Sequence, residues 1–200
     1  MAISYPLTAT FKLLSLSPEV TVRDSSSAVM LQVKQKALTL REETTVFADE
    51  AKKIPLYKML ADRVIGFRAV HRITRLADNA LVGSVKATGL RSLWRTQYDI
   101  ADSSDHTILT VREENPWIKV LDEMVGEIPL IGFIISSFIN PRYLMTDENG
   151  TLLYRITKRR SLIDRNFTLE QIAPDAHVGV DERLVSLALI QVIFLEHHRG

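Results

Sequence analysis

The sequence contains no cysteine among its 200 residues, which excludes disulfides, thiolate metal sites and a cysteine nucleophile. It also lacks an excess of charge of either sign, because 25 Lys and Arg face 24 Asp and Glu for a net charge of +1. This balance excludes a polybasic nucleic-acid clamp and an acidic solvating chain. We therefore predict no nucleic-acid partner.

Long hydrophobic runs are missing as well. The two longest apolar stretches, 128–139 and 184–195, have twelve residues each, whereas a helix needs about 20 to span a bilayer. The first residues show no basic segment followed by an apolar one, which argues against a secretory signal. We predict a cytoplasmic protein that can lie against a membrane surface, with both runs buried as core elements.

Motifs for catalysis and cofactor binding are also absent. The eight glycines form neither a dinucleotide-binding nor a phosphate-binding loop, and no serine stands in a Gly-x-Ser-x-Gly elbow. The five histidines lack metal-ligand spacing, and no run of carboxylates resembles a calcium loop. Adjacent acids such as Glu42 and Glu43 point to opposite faces of a strand. We predict a protein that is not an enzyme and holds no metal or other cofactor.

The sequence does contain a repeated unit: a β-prone run, an aspartate among small or polar residues, and a second β-prone run. Aspartate and its neighbours supply turn hydrogen bonds, and β-branched or aromatic residues fill the flanks. Each unit therefore predicts a β-hairpin, and several in series predict an antiparallel sheet that curls into a sandwich or barrel. The units are centred on Asp24, Asp49, Asp78, Asp102 and Asp147.

The segment 184–195 is apolar at ten of its twelve positions, and only Ser186 and Gln191 interrupt it. A helix with this sequence is apolar all round and must be buried on every side. We predict a helix over 181–198 that threads a barrel of strands, with Glu196, His197, His198 and Arg199 marking its return to solvent. A dimer-interface helix or a pair of core strands is the alternative.

The segment 115–140 interrupts the hairpin series. Asn115-Pro116 opens it, and Asn140-Pro141 closes it, which predicts a helical insert of two short helices lying on the barrel. The apolar side chains of the insert either cap the open end of the barrel, which we favour, or dip into a membrane interface. With this insert the chain forms one domain over 1–200, whose oligomeric state the sequence leaves open.

Loose, turn-like motifs extend over nearly the whole chain. They are the segments 5–7, 13–20, 22–24, 33–36, 82–86, 92–95, 98–100 and 140–143, followed by the closing apolar helix. Together they resemble LURP-one-related proteins of the tubby C-terminal-like superfamily, which has phospholipid scramblases as distant relatives. The resemblance implies a mainly β fold: a closed antiparallel barrel of about twelve strands around a central hydrophobic C-terminal helix.

Tubby domains bind phosphatidylinositol bisphosphate, using among other residues a Lys-x-Arg pair on one strand. The resemblance places Lys86 at the lysine position and Thr88 where the arginine would stand, which removes a bidentate phosphate contact. We carry over neither the calcium site nor the scrambling activity of the scramblases, because the closing apolar run is short.

Basic side chains are the remaining candidates for a binding site, because a phosphate-rich surface attracts them. An ordinary solvated strand face is the alternative. The candidates for an anionic lipid are Lys86, Arg155, Lys158, Arg159, Arg160 and Arg165. We predict a non-enzymatic binding or scaffold module that recognises anionic phospholipid headgroups, or a protein partner, at a membrane surface. A hydrolase or transferase on the same scaffold is the alternative.

Overall fold

The computed structural model describes residues 3–12, 17–36, 41–63, 69–88, 97–114, 142–160, 164–176 and 181–197. The strands are β1 (Leu7–Lys12), β2 (Glu19–Arg23), β3 (Val29–Gln35), β4 (Glu43–Phe47), β5 (Pro55–Ala61), β6 (Val70–Arg75), β7 (Leu81–Ala87), β8 (Gln97–Asp102), β9 (Thr107–Glu113), β10 (Arg142–Asp147), β11 (Leu152–Arg160) and β12 (Asp164–Gln171). A short 3₁₀ turn (Pro174–Ala176) precedes the helix α1 (Glu182–His197).

The twelve strands form one closed antiparallel barrel. Each strand pairs with its neighbours in the chain, and β1 pairs with β12 to complete the ring. Alternation of side chains sends every second residue inward, so that Val20, Val33 and Val46 lie opposite one another on β2, β3 and β4 with no exposed surface. The predicted closed barrel of about twelve strands is therefore confirmed.

The helix α1 lies inside this barrel. Every residue from 184 to 194 is at most 3 % exposed, Ser186 and Gln191 included. The Phe194 ring packs edge-on against Phe11 of β1, with ring centroids 5.8 Å apart. Near the end of α1, Glu196 is hydrogen-bonded to β8 and β10 on other parts of the wall. Because strands surround the helix, the prediction of a central C-terminal helix is confirmed, with bounds within one residue of those predicted.

A glycine in β7 lets the helix approach the wall closely. A Cβ added to Gly83 would clash with the backbone carbonyl oxygen of Ala101 and lie 2.9 Å from Cδ1 of Leu184. The missing side chain therefore sets how near the first turn of α1 packs to β7 and β8.

The aspartate-led turns lie together at one end of the barrel, called here the turn end. In one of them, Oδ1 of Asp147 accepts hydrogen bonds from the backbone amides of Asn149 and Thr151, at 3.0 and 2.7 Å. Gly150 closes this turn at φ 82° by donating its amide to the carbonyl of Asp147. The turns at Asp24, Asp49, Asp78 and Asp102 also have an aspartate oxygen that accepts from backbone amides of its own turn. The predicted turn role of these aspartates is confirmed.

The opposite end, where α1 finishes at His197, is called here the exit end. The predicted helical insert 115–140 lies outside the described residues, and the single domain over 1–200 stays a prediction. Among the residues that the structure describes, no helix has the length and apolar character needed to cross a membrane.

Candidate functional site

Strand β11 divides the predicted basic cluster between the two faces of the sheet. Arg155 is half-buried on the outer face. Lys158 is only 7 % exposed, and its Nζ lies 5.8 Å from the centre of the Phe167 ring. The reason is the two-residue period of a strand, which places Lys158 on the inward face with Ile156. Lys158, predicted as a contact for an anionic lipid, is therefore buried and does not lie on the outer surface.

The other three arginines of that cluster lie where β11 ends and β12 begins. The backbone register pairs Arg160 with Arg165 and Arg159 with Asn166. Arg159 follows Thr157 by two positions and Arg155 by four, so its backbone position is on the same face of β11 as theirs.

The register brings Arg155 close to two arginines that the sequence analysis did not name. Arg112 of β9 pairs with Leu144 of β10, and Leu144 pairs in turn with Arg155 of β11. Neighbouring strands are about 4.8 Å apart, so the two arginine backbones lie about 10 Å apart on one face. Arg142 is two residues from Leu144 along β10. We call Arg112, Arg142 and Arg155 the outer arginine cluster.

Within this cluster Arg112 is held by a hydrogen-bonded chain. Its Nε donates to Oε1 of Gln97 at 3.0 Å, and Nε2 of Gln97 donates to Oδ1 of Asp99 at 2.8 Å. Arg112 is exposed, and its two terminal nitrogens form no hydrogen bond or ion pair with a described residue. Those nitrogens therefore face solvent as a ready pair of donors.

The other two arginines of the cluster are held less firmly. The Nη1 atom of Arg142 is 3.9 Å from Oε2 of Glu114, an ion pair in which both side chains are largely exposed and which is worth little. The Nε atom of Arg155 is buried, and no acceptor in the described part of the chain reaches it.

Lys86 extends the same surface. It is exposed on the outer face of β7, where its register partners are Val70 of β6 and Asp99 of β8. Asp99 therefore lies between Lys86 and the Gln97–Arg112 contact. The structure thus brings two predicted residues, Lys86 and Arg155, onto one outer wall with Arg112 between them. The Oγ1 atom of Thr88, the other residue considered on this strand, is buried and has no hydrogen-bond partner among the described residues.

A second polar cluster lies inside the exit end. Glu196 is 4 % exposed. Tyr98 donates to its Oε1 and Tyr143 to its Oε2, both at 2.6 Å, as expected of an ionised carboxylate. The predicted return to solvent is therefore wrong for Glu196, because its carboxylate is still enclosed by β8 and β10, and the side chains of His197, His198 and Arg199 lie outside the described part of the chain.

The phenol group of Tyr143 in this inner cluster stays protonated. Burial, followed by the negative charge of Glu196 and its hydrogen bond, raises the pKa of Tyr143 well above its usual range. Glu113, which is 9 % exposed and is the register partner of Tyr143, adds to that shift. A carboxylate enclosed in this way fixes the end of α1 to the wall and is closed to a substrate.

One further buried titratable group lies on β6. His71 is 2 % exposed, and its Nε2 is 2.9 Å from Oε2 of Glu42. No group of three or more metal-ligating side chains occurs in the described part of the chain. The outer wall that carries Lys86 and the outer arginine cluster is therefore the candidate functional site.

No protein-family model matches this chain, and no curated protein matches its sequence. The argument for function accordingly starts from the geometry of the outer wall.

Proposed function

We propose that this protein is a non-enzymatic binding module that recognises the headgroups of anionic phospholipids at a membrane surface. The observation that carries the proposal is the outer arginine cluster, in which Arg112 and Arg142 are exposed and Arg155 is half-buried, with the exposed Lys86 beside it. Because α1 fills the interior of the barrel, a ligand has to be recognised on the outside.

The chemistry of the wall suits phosphate better than other anions. Guanidinium groups present two parallel N–H donors that match two oxygens of a phosphate, and lysine adds a point charge. Each cation held near an anionic bilayer contributes about 1 kcal/mol to binding. Four cations on one wall give useful affinity without a deep pocket.

The architecture supports a family assignment, also as a proposal. A barrel closed around its own C-terminal helix is the fold that the resemblance to LURP-one-related and tubby-like proteins implies. With Thr88 at the arginine position, the proposed binding relies on Arg112 and Arg155 rather than on a Lys-x-Arg pair.

Vesicle sedimentation at physiological salt tests the proposal. We expect the protein to sediment with phosphatidylcholine vesicles that contain phosphatidylserine and to stay in the supernatant with phosphatidylcholine alone. Arg112→Glu with Arg155→Glu should weaken binding by at least about fivefold for each cation removed. Lys34→Glu is the matched control, because Lys34 is exposed on β3, which lies six places from β9 around the ring.

Failure to sediment with either kind of vesicle would overturn the lipid proposal and favour a protein partner for the same wall. Equal losses in Lys34→Glu and in the arginine variants would also contradict it, because binding would then follow net charge and not a site. A hydrolase or transferase on this scaffold stays the alternative prediction.

A further inference from the structure

The orientation of the Gln97 side chain follows from its two neighbours. Asp99 offers only acceptors when ionised, and Nε of Arg112 is only a donor. The amide nitrogen of Gln97 must therefore face Asp99 and its oxygen must face Arg112, as the 2.8 and 3.0 Å contacts have it. A flipped amide would set its nitrogen against Nε of Arg112, donor against donor, and its oxygen against the Asp99 carboxylate, acceptor against acceptor.

This chain of hydrogen bonds fixes one arginine of the outer cluster before any ligand arrives. Arg112 is held through Nε, which a bidentate contact through the two terminal nitrogens leaves unused. An arginine already held loses less rotamer freedom when an anion binds. Arg155 has no such support, since its buried Nε meets no acceptor from the described residues.

A carboxylate near an anion site would repel the anion, and the position of Lys86 offsets this repulsion. Lys86 and Asp99 are register partners on the same face of the sheet, and Lys86 forms no ion pair with the described residues. Its ammonium group offsets the negative charge that Asp99 would otherwise present to a phosphate.

We propose that Gln97 and Asp99 are positioning residues that hold the Arg112 guanidinium ready to bind a phosphate group in a bidentate manner. This inference rests on the proposed function and adds that Arg112, and not Arg155, is the main anchor. The chemistry recognised is a tetrahedral phosphate with at least two free oxygens, carried by a lipid headgroup or present as free phosphate.

Four variants of the full chain test the positioning role. Gln97→Met keeps the size of the side chain and removes both hydrogen bonds, while Gln97→Glu sets two carboxylates side by side and Asp99→Asn weakens the hydrogen-bonded chain. The double variant Gln97→Glu/Asp99→Asn rebuilds it with no change in net charge. The amide introduced at position 99 can donate to the carboxylate introduced at position 97, which in turn accepts from Arg112. Gln171→Met on β12 is the control for the methionine substitution.

Two probes are measured for each variant: sedimentation with vesicles containing phosphatidylserine, and titration with inorganic phosphate followed by NMR of the Arg112 Nε–Hε resonance. We expect Gln97→Met to speed exchange of Hε with water and to weaken binding of both probes about tenfold, the lower end of the effect of one lost hydrogen bond to a charged group. The double variant should restore slow exchange and bind within about twofold of the wild type. Thermal melts establish that each variant is folded.

The outcomes separate the two proposals. If Arg112→Glu abolishes vesicle binding while Gln97→Met alters neither affinity nor Hε exchange, the positioning role is overturned and the proposed function stands. If phosphate binds with the expected ranking of variants but vesicles do not, the positioning role holds and the ligand is free phosphate. If neither probe binds the wild type, both proposals fall.

Discussion

The two ends of the barrel are stabilised in different ways. At the turn end, each aspartate bonds to amides of its own turn, as Asp147 does to Asn149 and Thr151. At the exit end, the buried carboxylate of Glu196 accepts hydrogen bonds from Tyr98 and Tyr143, which precede it by 98 and 53 positions in the chain. Each turn is therefore a separable local unit, whereas the exit end is a cooperative structure that forms only when helix and wall meet.

The largest expected effect comes from breaking the exit end. Glu196→Leu leaves the hydroxyl groups of Tyr98 and Tyr143 buried without this acceptor, at a cost of about 1 to 3 kcal/mol each. We expect the free energy of unfolding in urea to fall by about 2 to 6 kcal/mol. Glu196→Gln, which keeps one carbonyl acceptor, should lose less.

A compensating variant shows whether that loss arises from the hydrogen bonds. Replacing both tyrosines by phenylalanine in the Glu196→Leu background should recover most of the stability, because apolar groups of similar shape then replace both sides of these two hydrogen bonds. A variant with all three changes that is no more stable than Glu196→Leu alone would contradict this account of the exit end.

A matched pair of glycine substitutions sharpens the contrast between local and cooperative contacts. Gly150→Ala meets no atom within 4 Å and is strained only by its φ of 82°, which costs about 1 kcal/mol. Gly83→Ala pushes a Cβ against backbone and against Leu184 of the helix, so we expect a larger loss, about 1 to 3 kcal/mol. Urea unfolding of the two variants measures the difference, and equal losses would mean that α1 can shift away from β7 freely.

The smallest effect is expected from acid acting on the turn end. The pKa of Asp24 is lowered chiefly by the Ser26 hydroxyl, that of Asp49 by the backbone amide of Ile54, and that of Asp78 by Arg75. A lowered folded pKa stabilises the fold above the unfolded value of about 3.9 and loses that contribution as the pH falls through the folded pKa.

We therefore expect the melting temperature to fall below about pH 4 through these groups. Asp49→Asn keeps a turn acceptor without a titrating charge, and its melting temperature should fall less steeply between about pH 5 and pH 3, measured as a series of thermal melts. The same slope in Asp49→Asn and the wild type would show that these turns take no part in the acid response.

The features that the sequence predicted well depend on neighbours in the chain. An aspartate among turn residues and an apolar run at 184–195 carry their structural consequence locally, so the hairpins and the buried helix followed from them. The closed barrel of about twelve strands was an expectation from the resemblance to tubby-like proteins. The surroundings of Lys158 and Glu196 did not follow, because burial at a strand or helix end depends on how far the opposing elements extend.

The candidate site divides in the same way, into residues that the sequence named and residues that only the fold brings to them. Lys86 and Arg155 were named from composition, but Arg112 was not, since it reaches Arg155 only through the register with Leu144. Hairpin pairing worked out from the Asp102 and Asp147 turns, combined with alternation along 107–113, is the signal that could have found it. The support from Gln97 was beyond sequence reasoning, because a side-chain amide can point either way along a strand.

The place of α1 in the chain has a consequence for biosynthesis. All twelve strands precede the helix in the chain, so the wall is synthesised before the segment that fills it. Until α1 is present, the inward faces of the strands lack the apolar surface against which they pack. Completion of the barrel interior therefore depends on the last of the described elements to be made.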